Sequence, residues 1–245
     1  MPEKENMIIG RNPVREALRS GTPIDTLYIS QGSGGLTEIV ELAREQNAVI
    51  KTVNDQKLSQ MADGGAHQGV IAFGAVASYA SLEDLLAVSE KKGTKPFLII
   101  CDEIEDPHNL GAIIRTAETA GADGVIIPKR RSAALTPTVY KTSAGAASWL
   151  PVARVPNLGA AIDQLKKSGV WIYGTDMNGE LYTNTRFDDG GVALVIGSEG
   201  NGMSRLIREK CDFLVKLPMM GRITSLNASV AAGIFMYEVV RQRNA

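Results

Sequence analysis

Two short apolar runs in the last quarter of the chain, each followed by a polar loop with glycine, constrain the fold most strongly. The first is Val192–Ile196, followed by the loop Gly197–Ser204, and the second ends at Leu217. Apolar runs of this length are typical of buried strands, and in open α/β sheets ligands bind at the carboxyl ends of strands. The second loop leads into an uncharged stretch, Ser225–Tyr237, which is too short to cross a bilayer and therefore indicates a helix buried within protein. We expect both loops and the start of this helix to share a ligand.

Composition places the chain among ordinary globular proteins. Its 245 residues are 44% hydrophobic and 22% charged, with a formal net charge of −1, which allows one large domain or two smaller ones. No apolar run has the length of a membrane span, and the start of the chain lacks the apolar centre of a signal peptide, so we expect a cytoplasmic protein. The near-neutral charge argues against broad, sequence-independent binding of nucleic acid, but it allows RNA to bind at a local patch.

The cysteines and histidines show no metal-binding pattern. Cys101 and Cys211 lie in or beside apolar runs without a partner at metal-ligand spacing, which predicts buried, unreactive thiols. His67 and His108 are the only histidines, and no combination of His, Cys and carboxylate matches a zinc site or a hydrolytic triad. We therefore expect no metal and no metal-dependent chemistry.

The first part of the chain alternates helical and strand patterns. Asn12 followed by Pro13 predicts a helix with Asn12 as its N-cap, and Asn54 is placed to cap a short helix that ends at Met61. Strands are predicted at residues 26–29, 48–50 and 69–73, with a helix between the first two. These elements predict a compact α/β domain over residues 1–77.

A charged helix separates this domain from the rest. Ser81 and Asp84 form a capping-box pattern at the start of a helix that runs to Lys92, and Gly93–Pro96 then breaks the chain. We therefore assign residues 78–95 to a linker and residues 96–245 to a second domain.

The second domain alternates strands with helices throughout. Strands are predicted at residues 97–101, 125–127, 152–155, 170–173, 192–196 and 213–217. Helices are predicted at residues 110–120, 137–144, 158–167, 204–210 and 226–243. This alternation predicts an α/β fold with a mostly parallel sheet and helices on both faces.

The first predicted strand of this domain is followed by a polar stretch that contains Asn109 and Arg115. Asn109 is placed to cap the next helix, and Arg115 lies nearly two turns inside it. One interpretation is a cap and a surface arginine. The other is a guanidinium beside a pocket, where it suits a phosphate or an oxyanion.

The loop Gly197–Ser204 also allows two interpretations. No lysine precedes Ser204, which excludes a Walker A loop, and Arg205 stands where the dinucleotide fingerprint has its third glycine. The glycines permit close approach of the backbone to a ligand, and Glu199, the only charge in the loop, is suited to accept hydrogen bonds. An ordinary turn explains the pattern equally well.

Two further groups follow other predicted strands. Ser225 is placed to cap the last helix, and Asn227 lies in its first turn, either as a ligand contact or only as part of the cap. Lys129–Arg131 is the one dense basic cluster near the expected site; it is either merely solvated or part of an RNA-binding surface.

Three spaced motifs of the second domain resemble those of the SpoU (TrmH-type) methyltransferases, which belong to the SPOUT class. They are Asn109 with Arg115, the Gly197-x-Glu199-x-x-Gly202 loop, and Ser225-Leu226-Asn227 after Pro218-Met219. The resemblance covers roughly residues 97–245, although Ala228 stands where many members carry valine. The first 75 residues are similar to the small L30-like substrate-binding domain of the 23S rRNA guanosine-2′-O-methyltransferases, including Gln68-Gly69-Val70.

The resemblance implies a fold, an activity and an assembly. The C-terminal domain would be a SPOUT α/β knot, in which the last segment threads a loop to form a trefoil knot. The activity would be transfer of a methyl group from S-adenosylmethionine to a ribose 2′-hydroxyl of RNA. The protein would form a homodimer with its active site at the subunit interface.

The resemblance also implies the role of each site residue. The adenosine part of S-adenosylmethionine would be held by Ile196, Gly197, Leu217 and Leu226, with Thr175 lining the same pocket. The reaction centre would be shaped by Asn109, Glu199, Ser225 and Asn227. Arg115 would be the catalytic base, acting with the other subunit's cofactor. Since a guanidinium normally stays protonated, orientation and electrostatic stabilisation are its minimum role.

The sequence leaves three functions to compare. A methyltransferase acting on a guanosine of 23S rRNA is favoured, with tRNA as the second target. A non-catalytic ribosome-assembly factor that binds RNA would keep the fold without turnover, but the intact motif residues argue against it. A nucleotide-cofactor oxidoreductase would also have an open parallel sheet, but the missing third glycine argues against it.

Overall fold

The computed structural model describes residues 7–74 and 79–244. These residues form two compact units: one holds the described residues up to 74 and the segment Ala134–Pro137, and the other holds the rest. The predicted limits of the domains and the linker stay a prediction. In the described ranges, no helix is both long and apolar enough to span a membrane.

The first unit alternates strands and helices: β1 (Met7–Ile9), α1 (Arg11–Arg19), β2 (Ile24–Ser30), α2 (Thr37–Glu45), β3 (Val49–Val53), α3 (Asp55–Ala62) and β4 (Val70–Gly74). The strands lie in the order β1-β4-β2-β3, and only β2 and β3 pair in parallel. Because side chains alternate along a strand, β4 packs Val70 and Ala72 against α1 and α2, whereas Ile71 and Phe73 pack with α3.

The first helix begins earlier than the sequence predicts, and the assignment of Asn12 as its N-cap is wrong. Its N-cap is Gly10, which has a φ of +94° and offers no side chain. The N–H of Arg11 instead donates to Gln68 Oε1 at 3.0 Å, from a residue 57 positions away. A cap from so far along the chain leaves no local pattern. The predicted cap of α3 is confirmed, because Asn54 accepts a hydrogen bond from Lys57 N at 2.9 Å.

The second unit also alternates: α4 (Leu82–Lys92), β5 (Phe97–Cys101), α5 (Pro107–Thr119), β6 (Gly124–Pro128), α6 (Pro137–Thr142), β7 (Val152–Val155), α7 (Leu158–Lys167), β8 (Val170–Leu181), β9 (Gly191–Ile196), α8 (Arg205–Lys210), β10 (Phe213–Lys216) and α9 (Ala228–Arg243). The capping box predicted before α4 is present. The sheet has the order β10-β8-β9-β5-β6-β7, and every pairing within it is parallel.

Helices cover both faces of this sheet. On one face, α4, α7 and α8 pack against alternate residues of the strands, such as Leu98 and Val195. On the other, α5 packs on β6 and α9 packs on β9. The prediction of a mostly parallel α/β fold is therefore confirmed, while the trefoil knot stays a prediction.

Strand β8 is much longer than its apolar run predicts. The expected strand ends at Tyr173, but the observed one continues to Leu181, with a register shift against β10 between Leu214 and Val215. The added part is polar and partly exposed, so hydrophobicity gives no sign of it. Gly179 is essential to this register, because a Cβ there would lie 2.5 Å from the backbone carbon of Leu214.

The two cysteines differ in exposure but not in the direction of their pKa. Cys101 is buried, as predicted, whereas Cys211 is only half-buried. Burial raises the pKa of each thiol to about 12, so both remain protonated at neutral pH.

The C-terminal helix is fixed at its end by Arg243. Its guanidinium donates to the carbonyl oxygens of Lys95, Pro96 and Gly190 at 2.9–3.0 Å and lies 5.5 Å from the ring centroid of Phe97. Burial lowers the pKa of Arg243. One side chain thus joins α9 to the residues that directly precede the central strands β5 and β9.

We expect Arg243→Ala to destabilise the protein by about 2 kcal/mol, because three carbonyl oxygens lose a charged donor together. The free energy of unfolding is measured from urea denaturation. Arg205→Ala is the control, since the Arg205 side chain is 92% exposed and forms a surface ion pair with Glu209 one turn away. That variant should change stability by less than about 0.5 kcal/mol. Equal stability of the two variants would contradict the role of Arg243.

Candidate active site

Glu199 lies at the centre of a hydrogen-bond network that joins three distant parts of the chain. Its Oε1 accepts from Asn109 Nδ2 at 2.8 Å, from Asn227 Nδ2, and from the backbone N–H of Ala228 at 3.3 Å. Asn227 Nδ2 also lies 2.9 Å from Asn109 Oδ1. The structure therefore brings together three of the predicted site residues, and it does so through their side chains.

Asn109 is available for this network because it does not cap its helix, contrary to the sequence prediction. The N-cap of α5 is Asp106, whose Oδ1 accepts from His108 N at 2.9 Å, and Pro107 occupies the first helical position. Asn109 therefore lies in the first turn, where its side chain reaches Glu199. The signal for this start was present in the sequence, since aspartate before proline is a strong helix start.

Asn227, rather than Ser225, caps the last helix. Its Oδ1 accepts from Ser229 N at 3.0 Å and from Val230 N at 3.3 Å, while its Nδ2 points to Glu199. The two ends of one amide thus fix the helix and orient the carboxylate. Ser225 is exposed and lies outside the helix, so the prediction that it caps α9 is wrong.

The loop that carries Glu199 is held by one pair of backbone hydrogen bonds and by one hydrogen bond to a side chain. Ser198 and Gly202 exchange hydrogen bonds of 3.0 and 2.9 Å, which folds the loop back on itself. The N–H of Ser204 donates to Asp102 Oδ2 at 2.7 Å. Sequence reasoning assigned Asp102 no role, although a carboxylate directly after a buried strand was a possible signal. Burial raises the pKa of Asp102, and the bond from Ser204 opposes that shift.

Three of the residues expected to bind the cofactor lie on, or directly after, neighbouring strands. Ile196 is the last residue of β9 and is buried, and Leu217 directly follows β10. Between them in the sheet lies β8, where Thr175 Oγ1 donates to Val195 O at 2.9 Å. Thr175 is thus joined to the end of β9, whereas Leu217 follows a strand whose last residue, Lys216, pairs with Leu181 at the end of β8.

The loop residues Gly197 and Leu226 are placed differently. Gly197 follows Ile196, and a Cβ on it would lie 2.3 Å from the backbone carbon of Gly202. The two ends of the loop are therefore in close backbone contact at this point. Leu226 is 39% exposed and lies on the exposed loop before α9.

Arg115 lies apart from the Glu199 network. Its side chain is exposed on α5, and its guanidinium makes no hydrogen bond or ion pair with any residue of the described ranges. Beside it runs an open groove of about 520 Å³ between α5 and α9, lined by Ala112, Thr116, Ser229, Val230, Gly233, Ile234 and Tyr237. The structure therefore does not place Arg115 with the other predicted catalytic residues.

The apolar side of α9 is only partly covered. Phe235, Met236 and Val239 are buried, but Val230 and Tyr237 are each 51% exposed and Ile234 is 38% exposed. The predicted burial of this helix within protein is therefore only partial in a single chain, where these three side chains face outward.

The basic cluster Lys129–Arg131 does not act as one patch. Arg131 Nη1 pairs with Glu103 Oε1 at 2.6 Å, which offsets its charge. Lys129 is half-buried, and its pKa is lowered by burial and then by nearby Arg154. Arg130 is exposed. Only part of the cluster is thus presented to a ligand.

The model of the SpoU rRNA methylase family matches residues 96–237, which include the Asn109–Glu199–Asn227 network. The chain belongs to this family. A second model, described as RNA 2′-O ribose methyltransferase substrate binding, matches residues 7–80. The SpoU assignment implied by the three sequence motifs is therefore confirmed.

Relatives and solved structures of SpoU proteins match nearly the whole chain. Bacillus subtilis YacO, named for the TrmH family of tRNA/rRNA methyltransferases, is 49% identical over 100% of this chain and 98% of its own. The SpoU methyltransferase AviRb of Streptomyces viridochromogenes, solved with AdoMet, is 28% identical with a TM-score of 0.62, over 98% of this chain and 90% of AviRb.

Two further structures differ in how much of the chain they match. An AdoMet-bound rRNA methyltransferase of Sinorhizobium meliloti is 25% identical with a TM-score of 0.60, over 96% of this chain and 86% of its own. The TrmH/SpoU tRNA modifying enzyme of A. aeolicus is 28% identical with a TM-score of 0.57, over 66% of this chain and 82% of its own. The shorter match thus leaves about a third of this chain without a counterpart.

These findings confirm the predicted enzyme class. The chain is an RNA 2′-O-ribose methyltransferase of the SpoU/TrmH family. The family uses S-adenosylmethionine, which confirms the predicted cofactor.

Proposed function

We propose that this chain methylates a ribose 2′-hydroxyl of ribosomal RNA, most specifically a guanosine of 23S rRNA, in the cytoplasm. The observation that carries the proposal is the Asn109–Glu199–Asn227 network, because it joins the three motifs in one place. The rRNA methyltransferase of S. meliloti matches 96% of this chain, whereas the tRNA modifying enzyme matches 66%. This difference favours rRNA, and tRNA is the alternative.

The five residues assigned to the cofactor suit the adenosine of S-adenosylmethionine. Leu217 and Leu226 offer accessible apolar side chains and Ile196 a buried one, while Gly197 allows its loop to close on the backbone of Gly202. Thr175 adds a hydroxyl, already oriented by Val195 O. When bound, S-adenosylmethionine supplies an activated methyl group on a sulfonium.

Glu199 has a positioning role in this proposal. One carboxylate oxygen holds both asparagines and the start of α9, so it fixes the loop Gly197–Ser204 relative to α5 and α9. Such pre-organisation reduces the entropy lost when cofactor and RNA align for in-line displacement. Ser225 lies two residues before Asn227 in the chain, and the proposal includes it in the reaction centre.

Arg115 orients the RNA at the reacting ribose. A ribose hydroxyl is a weak nucleophile at neutral pH, so its proton must leave during attack. A guanidinium normally stays protonated, and its five donors suit the phosphate next to that ribose. We therefore assign Arg115 phosphate binding and electrostatic stabilisation as its minimum role.

The separation of Arg115 from the Glu199 network supports a homodimer with a shared active site. Val230, Ile234 and Tyr237 form an exposed apolar edge beside Arg115, and burying such an edge is favourable. A second copy of the chain packed there would cover the edge and bring Arg115 to the partner's cofactor. The proposal also divides the chain as the sequence predicts: a substrate-binding domain over residues 1–77, a linker over residues 78–95 and a catalytic domain over residues 96–245.

A methyl-incorporation assay tests the proposed function. The purified protein is incubated with labelled S-adenosylmethionine and with rRNA or tRNA from a strain that lacks this gene, and 2′-O-methyl positions are mapped. We expect one new mark in 23S rRNA. A mark in tRNA alone would establish the alternative target. RNA binding without any methyl transfer would instead indicate an assembly factor and overturn the proposal.

A further inference from the structure

Three arginines form a row along one face of α1. Arg11, Arg15 and Arg19 are spaced four residues apart, which places successive guanidiniums on neighbouring turns. Like charges at this spacing repel each other and destabilise a helix. The main counter-charge is Glu38 of α2, which lies 3.1 Å from Arg15 and 2.6 Å from Arg19. The row therefore carries a surplus of positive charge at its Arg11 end.

At that end the first unit contains a polar cavity of about 480 Å³. It is lined by Arg11, Asn12, Arg15, Ser33 and Gln68. All five side chains are polar, and none is aromatic. A cavity of this size and lining suits a small charged group rather than an apolar one.

Arg11 is held in place without using all of its donors. Its Nε donates to Gln68 O at 2.9 Å, but Nη1 and Nη2 have no hydrogen-bond or ion-pair partner within residues 7–74 and 79–244. Gln68 has a φ of +50°, a strained conformation for a residue with a side chain, and Gly69 follows at +82°. This turn presents both the carbonyl and the side-chain oxygen of Gln68 to Arg11.

Arg15 is oriented from within its own helix. Its Nη1 donates to Asn12 Oδ1 at 3.0 Å, and its Nε lies 3.1 Å from Glu38 Oε2 on α2. Two guanidiniums are thus fixed on the wall of one cavity before any ligand is present. Fixed donors lose little side-chain entropy on binding.

We propose that this cavity binds a backbone phosphate of the RNA substrate. Paired guanidiniums match the oxygens of a phosphodiester, and hydroxyl and amide groups complete the donor set. An unstacked base would instead need an aromatic side chain on which to stack, and the lining contains none. The inference rests on the proposed function only in naming RNA as the ligand.

The test compares variants of the full-length protein in RNA binding. Arg11→Ala and Asn12→Ala should each weaken the affinity for the RNA substrate, by about tenfold for Arg11→Ala. The slope of log K against log salt concentration should become shallower by the amount expected for about one phosphate contact. Arg11→Lys should recover part of the affinity, because lysine keeps the positive charge but lacks the paired, planar donors of a guanidinium. Arg44→Ala is the matched control, since Arg44 is exposed on α2 and does not line the cavity.

The affinity for S-adenosylmethionine and the thermal midpoint are measured on every variant, to show that each is folded. For methylation, we expect a raised KM for RNA with kcat unchanged. If Arg11→Ala and Asn12→Ala bind RNA as Arg44→Ala does, with the same salt slope, the inference is wrong even when the wild type methylates RNA. If the wild type binds RNA without methylating it, while Arg11→Ala loses binding, the phosphate site is supported and the proposed reaction is contradicted.

Discussion

Arg115→Ala is expected to abolish methyl transfer while leaving the affinity for S-adenosylmethionine unchanged. The side chain is exposed and makes no polar contact in the described part of its own chain, so its removal should not disturb the fold. Loss of one charge-stabilising donor at a reaction centre typically lowers kcat by about 10²–10³. Turnover is measured by methyl incorporation, and cofactor binding by isothermal titration.

Arg205→Ala serves as the control for this prediction. Arg205 is also an exposed helical arginine, and within the described residues its only ion pair is with Glu209 at 2.8 Å. Arg115→Lys tests whether charge alone suffices; we expect only a small part of the activity, because an ammonium lacks the planar fork. Turnover of Arg115→Ala at the level of Arg205→Ala would remove Arg115 from the mechanism.

Mixed dimers extend the test to the proposed assembly. If Arg115 acts on the partner's cofactor, an Arg115→Ala chain paired with a Gly197→Ala chain of weakened cofactor affinity should form one site in which both residues are intact. The mixed dimer should then be more active than either variant alone. No recovery in a confirmed heterodimer would contradict a shared active site.

Gly197→Ala is expected to lower the affinity for S-adenosylmethionine by at least about tenfold and to destabilise the protein. The new Cβ would lie 2.3 Å from the carbon of Gly202 and 2.4 Å from the nitrogen of Met203. Both are backbone atoms and cannot rotate away, so the loop must open. Overpacking of this kind costs about 1–3 kcal/mol, and here it displaces the loop that carries Glu199.

Gly200→Ala is a matched control in the same loop. A Cβ on Gly200 would meet no atom within 4 Å. We expect this variant to bind the cofactor and to melt as the wild type does. Cofactor affinity is measured by titration and stability by thermal unfolding for both variants. Equal cofactor affinities would show that the close contact at Gly197 has no part in binding.

Much of the second unit was predictable because its strands are buried on both faces. Runs such as Phe97–Cys101 and Val152–Val155, and the helix Leu158–Lys167, have the predicted bounds. Burial on both faces makes a strand continuously apolar, and this signal needs no tertiary information. The polar extension of β8 and the three-residue strand β1 lack that signal and were not predicted.

Helix starts were predicted less well, for a related reason. Asn12, Asn109 and Ser225 are all suitable caps by residue type, yet Gly10, Asp106 and Asn227 occupy those positions. Several residues near a helix start can cap it, and the choice depends on which side chain another part of the chain engages. Gln68 decides it for α1, and Glu199 engages the asparagines of α5 and α9.

By itself, the sequence determined the α/β class, the parallel second unit and the polar residues from which an active site is built. Hydrophobic periodicity reports burial, and residue type reports what a side chain can donate or accept, so both are local properties. Only the tertiary structure decided that Glu199 meets Asn109 and Asn227, and that Arg115 stands apart from them in the same chain. These contacts span 90 and 28 residues. They depend on the paths of loops, which no pattern of neighbouring residues encodes.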